Sequence, residues 1–147
     1  MASPLTLSAT SDRTTYPRVG PIPLQVTLRN TSLSPIWVNR RMSVGYEDGL
    51  MREIYFTVYD ADDTLLPVPD EARVDAHRMP PQREDFARLD GGAAVAVSVD
   101  VALWYPFRKA GLYRIIFIYE NRWDGRGFGV EAFTGKVSAA PLFITIE

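Results

Sequence analysis

The chain contains no cysteine. That excludes disulfides, thiolate metal sites and a cysteine nucleophile, and it fits a reducing, cytoplasmic address. Histidine is almost as scarce, with His77 standing alone. A zinc site there would have to recruit carboxylates such as Glu71 and Asp75, and a Ser-His-Asp triad would have to use the same ring. No Gly-x-Ser-x-Gly elbow accompanies it, and on a helix Arg73 would share its face, so a surface histidine is the simpler reading. Lysine occurs only at Lys109 and Lys136, and the formal net charge is -2. No electrostatic drive therefore points toward nucleic acid or an acidic membrane. Long apolar runs are also missing: no stretch approaches the roughly 20 residues of a spanning helix. Met1-Ala2-Ser3-Pro4-Leu5 lacks the basic and apolar segments of a signal peptide. The expectation is a soluble, cytoplasmic protein with no membrane contact.

What the chain does have is a period of two. Its 147 residues, 46% apolar and 12% aromatic, are enough to bury a core within one domain, residues 1–147. Ile22, Leu24, Val26 and Leu28 alternate with Pro23, Gln25, Thr27 and Arg29, the signature of a strand with one buried and one wet face. Ile54, Phe56 and Val58 repeat it, as do Val95 to Leu103 and Leu142, Ile144 and Ile146, while Leu5 and Leu7 mark a shorter first strand. Tyr113 to Tyr119 is apolar at nearly every position, as expected of a strand covered on both faces or lying mid-sheet. Turn residues separate these runs: Asn30-Thr31-Ser32 with Ser34-Pro35, Asp60-Ala61-Asp62-Asp63, Gly91-Gly92 and Ala110-Gly111. Many short strands at such spacing predict an all-β, immunoglobulin-like antiparallel sandwich. Residues 69–78, bracketed by prolines and capped by Asp70, read as one short helix.

The succession of Leu28-Arg29-Asn30-Thr31-Ser32, Val58-Tyr59-Asp60-Ala61-Asp62-Asp63, Leu89-Asp90-Gly91-Gly92, Ala110-Gly111-Leu112-Tyr113-Arg114-Ile115 and Ser138-Ala139-Ala140-Pro141-Leu142-Phe143-Ile144 resembles small bacterial Ig-like accessory domains. It is similar to the β-sandwich that precedes the catalytic part of deuterolysin-like metalloproteases, and to the bacterial intracellular proteinase inhibitor domains. The resemblance implies an accessory or inhibitor-like role without catalysis, because its motifs are turns and corners and the chain has no His-Glu-x-x-His zinc helix. Kinship of fold transfers function poorly.

The chemistry-bearing residues are few. Asp60, Asp62 and Asp63 form an oxygen-rich cluster, but they lack the glycine and distal glutamate of a calcium loop, and aspartate suits turns through its bonds to nearby amides. Gly125-Arg126-Gly127-Phe128-Gly129 is glycine-rich without the helix that a phosphate loop needs. No metal and no cofactor are expected. A glycosidase-like carboxylate pair would have to come from among the eighteen acidic residues, and none stands out.

Two segments are candidates for binding. In 120–129, Arg122, Trp123, Arg126 and Phe128 are carried on glycine-rich chain; aromatic and arginine residues are enriched at hot spots, and loops on a rigid sandwich are where recognition concentrates. The bland alternative folds Trp123 and Phe128 back over the open end of the core. The second segment runs from Trp37 through Tyr46, with Asn39, Arg40, Arg41 and Met42. A tryptophan on such a strand is commonly core, which leaves the arginines as a solvated strand end or the rim of an interface. Trp104-Tyr105-Pro106-Phe107 is expected to plug one end of the sandwich. The residues thus favour a non-catalytic module for an unknown protein partner. A carbohydrate-binding sandwich using Trp123, Phe128 or Trp37, and an enzyme with an unrecognised carboxylate site, are the competing readings. An uncovered edge strand would also allow a homodimer.

Overall fold

The computed structural model describes residues 3–45, 53–67 and 80–147. Among these residues, eleven strands run β1 (Leu5–Thr10), β2 (Thr15–Tyr16), β3 (Pro23–Asn30), β4 (Ile36–Asn39), β5 (Val44–Gly45), β6 (Ile54–Tyr59), β7 (Phe86–Leu89), β8 (Ala94–Asp100), β9 (Gly111–Asn121), β10 (Gly135–Ser138) and β11 (Leu142–Ile146). Single turns of 3-10 helix lie at Arg83–Asp85, Val101–Leu103 and Arg126–Phe128. The expected helix at 69–78, and His77 with it, falls outside the described residues. Among the described residues no helix is long and apolar enough to cross a membrane.

The all-β expectation holds. One sheet has the order β1-β3-β8; a larger one has the order β2-β11-β9-β6-β5 with β10 also on β9; β4 and β7 form a two-stranded ribbon. Most pairings are antiparallel, but the two-residue strands β2 and β5 pair in parallel with β11 and β6. This corrects the purely antiparallel expectation: both exceptions are brief edge additions, too short to show in a hydrophobic pattern.

The alternation read from the sequence is the alternation of burial. In β3, Leu24, Val26 and Leu28 are buried while Pro23, Gln25 and Arg29 are exposed. β9 does lie mid-sheet, with β6 along one side and β11 and β10 in succession along the other. Its inward residues Tyr113, Ile115, Phe117 and Tyr119 are buried, whereas Arg114, Ile116 and Ile118 are only partly covered. The inward faces of the sheets contribute to one apolar cluster. Tyr105 and Phe107 belong to it, and Phe107 meets Tyr113 edge-on at 5.0 Å between ring centres, so this connection does plug the core.

Two local readings change and a third, the aspartate turn, holds. Val101 to Leu103 does not continue β8: Asp100 accepts from the amides of Ile22 and Ala102 and turns the chain into a 3-10 turn. Trp37 is not core. Val38 and Asn39 are the buried residues of β4, and Trp37 points outward with 36% of its surface exposed. The aspartate cluster is a turn: Asp60 accepts from the amides of Asp62 and Thr64, and Asp63 (φ 61°) pairs with Arg114 at 2.7 Å.

Asn30 shows how a buried amide joins elements that alternation alone leaves separate. Fully buried at the end of β3, its Nδ2 donates to the carbonyls of Ser34 and Leu89 at 2.8 and 2.9 Å. Its Oδ1 accepts from the amide and hydroxyl of Ser32. The Asn-Thr-Ser corner therefore holds the start of β4 and the end of β7 against the β1-β3-β8 sheet.

Candidate binding site

β4 and β7 pair in the register Trp37↔Arg88 and Asn39↔Phe86. On the other side of β4 the chain at 132–133 docks, through a bridge between Trp37 and Ala132 and a bond from the Phe133 amide to the Trp37 carbonyl at 2.8 Å. The 122–133 loop is thereby folded onto the same ribbon. Phe128 lies 5.9 Å from Phe86 between ring centres, and Trp37, Phe86, Phe128 and Val130 line a groove of about 500 Å³ with Arg83 and Glu84. Phe86 is the buried floor; Trp37 and Phe128, at 36% and 39% exposure, are the open walls.

The loop's shape depends on Gly125. Its φ of 74° is a left-handed conformation, and a Cβ there would sit 2.5 Å from Val130 Cγ2 and 3.2 Å from the Phe86 ring. The Asp124 carboxylate accepts from the Arg126 amide, so the bend is closed from both sides.

Beneath the groove lies a buried polar network. Asn121 donates from Nδ2 to the carbonyls of Trp123 (2.7 Å) and Phe133 (2.6 Å). Its Oδ1 accepts from the Trp123 amide and from Asn39 Nδ2. Asn39 in turn accepts on its carbonyl from the Tyr119 hydroxyl (2.8 Å) and on Oδ1 from the Arg41 amide. Arg41 makes a two-pronged pair with Glu53, Nε to Oε1 at 2.9 Å and Nη2 to Oε2 at 2.6 Å, and Glu53 also accepts from the Ser43 amide. These bonds tie β4, β6, β9 and the loop into one unit.

Burial is the main force that pushes the Tyr119 phenol well above its ordinary 10.0, with nearby Glu53 adding to it. The fold therefore favours the neutral phenol. This contribution is whole below pH 10 and is lost as pH climbs above it. Urea midpoints are expected to fall above pH 10 in the native chain and to fall less steeply in Tyr119→Phe; equal slopes would assign the alkaline loss to other groups.

The sequence-derived candidates divide accordingly. Trp37 and Phe128, from different segments, come together at the groove. Arg40 stands at its margin, its Nε bonded to the Glu84 carbonyl at 3.3 Å and its amide to Asp85. Arg126 is exposed and within 3.4 Å of Glu131. Arg122 is exposed and turned to Glu120 at 3.3 Å, and Trp123 is half-buried with its backbone held by Asn121. Arg41 is committed to Glu53. Sequence reasoning missed Phe86, Arg83 and Glu84, because only the β4–β7 pairing, across more than forty positions, makes them neighbours of Trp37. Asn39 and Asn121 lay within the two candidate segments, but their burial, and that of Glu53, was not foreseen, because no local pattern announces it. No model of a known protein family matches the chain, and neither does any curated protein.

Proposed function

We propose that the chain is an immunoglobulin-like β-sandwich acting as a non-catalytic interaction module, and that the Trp37–Phe86–Phe128 groove docks a short segment of a protein partner. The observation that carries this reading is the pairing of two half-exposed aromatics from distant segments over a rigid floor. Each outward ring forfeits hydrophobic stabilisation, about 25 cal/mol per Å² left in water, and exposed apolar patches of this kind mark interaction sites. An apolar side chain of the partner fills the space between the rings, while the Arg83–Glu84 and Arg126–Glu131 charges form a mixed-sign rim suited to polar backbone and side chains around it. The resemblance to accessory and inhibitor domains points the same way.

A carbohydrate reading has one observation in its favour, the flat and accessible Trp37 ring. Against it, Arg126 at the rim is engaged with Asp124 and Glu131, and the groove lining is mostly apolar side chain, leaving few donors aimed at hydroxyl groups.

Trp37→Ala/Phe128→Ala should leave the fold intact and weaken capture of a protein partner by tenfold or more, since hot-spot aromatics are worth about 2 kcal/mol or more each. Pull-down with both forms, each shown folded by circular dichroism, followed by titration of the recovered partner, measures this. A partner bound equally by both forms overturns the groove assignment. Specific glycan binding lost in the double variant would replace the protein ligand by a sugar.

A further inference from the structure

β8 is an edge strand: among the described residues it pairs with β3 alone, whereas β1, at the sheet's other edge, runs close to β9 and β10. Its seven residues, Ala94-Val95-Ala96-Val97-Ser98-Val99-Asp100, hold no proline, no lysine and no charge before Asp100. Proline, lysine and flanking charge, three of the devices that keep a sheet edge from pairing further, are therefore absent from the body of this strand. Val95 and Val97 point inward yet remain only half-buried, and Ala94, Ala96 and Ser98 are small and exposed.

We propose that β8 pairs antiparallel with β8 of a second copy of this chain, about a two-fold axis through Val97. The backbone phase sets this register. The Val101 amide bonds the Ile22 carbonyl of the segment leading into β3, so by alternation residues 95, 97 and 99 spend their polar groups on β3. Those of Ala94, Ala96 and Ser98 face the open edge. With Val97 on the axis, Ala96 and Ser98 of opposite copies exchange hydrogen bonds. Val95 then faces Val99, and the two Val97 residues form the close, non-hydrogen-bonded pair. Every valine stays on the core side, and each half-exposed one gains a cross-strand neighbour.

Charge agrees with this register. Arg29 lies beside Ala94 on β3, and pairing brings Asp100 of the second copy to the other side of Ala94. Arginine and aspartate then share one row, two strand spacings of about 4.8 Å apart, each keeping its own bonds, Arg29 to the Gly92 carbonyl and Asp100 from the Ile22 and Ala102 amides. Symmetry repeats the row at the other end of the duplex, and no like charges face each other. A second copy thus satisfies backbone and packing together, in a register that charge allows.

Sedimentation equilibrium tests the pairing. The native chain should sediment at twice the chain mass, and Val97→Lys, which sets two ammonium groups against each other on the axis, at the chain mass with an unchanged circular dichroism spectrum. A monomeric native chain, or a folded Val97→Lys that remains dimeric, overturns the proposal. If Val97→Lys fails to fold, cysteine placement decides, on a background with no cysteine of its own. Under oxidised glutathione, Val97→Cys should form a covalent dimer while Ala94→Cys, facing Asp100, should not. Equal cross-linking at both positions, or none at either, overturns the register.

Discussion

Arg41→Met is expected to cost about 3–5 kcal/mol, the loss typical of breaking a buried ion pair from one side. Glu53 is 1% exposed and Arg41 11%, and methionine keeps much of the arginine's bulk while removing its charge. Among the described residues, the Glu53 carboxylate then keeps in the interior only the Ser43 amide of its present partners. Urea unfolding at neutral pH measures the change: with a slope of about 1–3 kcal/mol per molar, the midpoint should fall by at least one molar unit. Replacing both members, Arg41→Met with Glu53→Met, should recover most of the loss, because the desolvation penalty disappears with the charges. A single-variant cost below about 1 kcal/mol would mean that water reaches the pair as it reaches a surface bridge.

Asn121→Ala is expected to remove on the order of 3 kcal/mol, and to disable the groove with it. Four bonds depend on this side chain: to the Trp123 and Phe133 carbonyls, from the Trp123 amide, and from Asn39. Buried polar groups left without partners cost about 1–3 kcal/mol each, and partial relaxation of the loop toward water offsets part of the sum. The loop carrying Phe128 and the strand carrying Trp37 meet through this amide, so the walls of the groove should lose their relative position. Intrinsic tryptophan fluorescence should shift to the red as the 122–133 loop opens, and the thermal midpoint should fall. Asn121→Asp keeps the acceptor and loses both donors, so it should be similarly destabilised at neutral pH. A stable Asn121→Ala with native fluorescence would show that the backbone pairing at 132–133 holds the loop by itself.

The proposed module and the proposed dimer use different parts of the molecule. The groove rests on β4, β7 and the 122–133 loop, while self-pairing uses the free edge of β8. A Val97→Lys monomer that still binds a partner would separate the two functions, and the Trp37→Ala/Phe128→Ala variant should remain dimeric.

Some of this was legible in the residues alone. Alternation in Ile22–Leu28, Ile54–Val58 and Leu142–Ile146 determined strands and their buried faces, because side chains of a strand point alternately and only one face can be dry. The apolar run at 113–119 marked the central strand, and Asp60 with its neighbours marked a turn through bonds spanning only a few residues. Trp37 and Phe128 were visible as candidates by residue type. Their meeting was not, because it depends on strand register and on contacts between positions far apart in the chain. Whether Trp37 pointed in or out rested on one choice of phase in a four-residue strand, and four residues carry too little pattern to make it. The burial of Asn30, Asn121 and Glu53 was equally hidden: a polar residue is stable inside only when partners from other elements reach it, and only the tertiary structure brings those partners together.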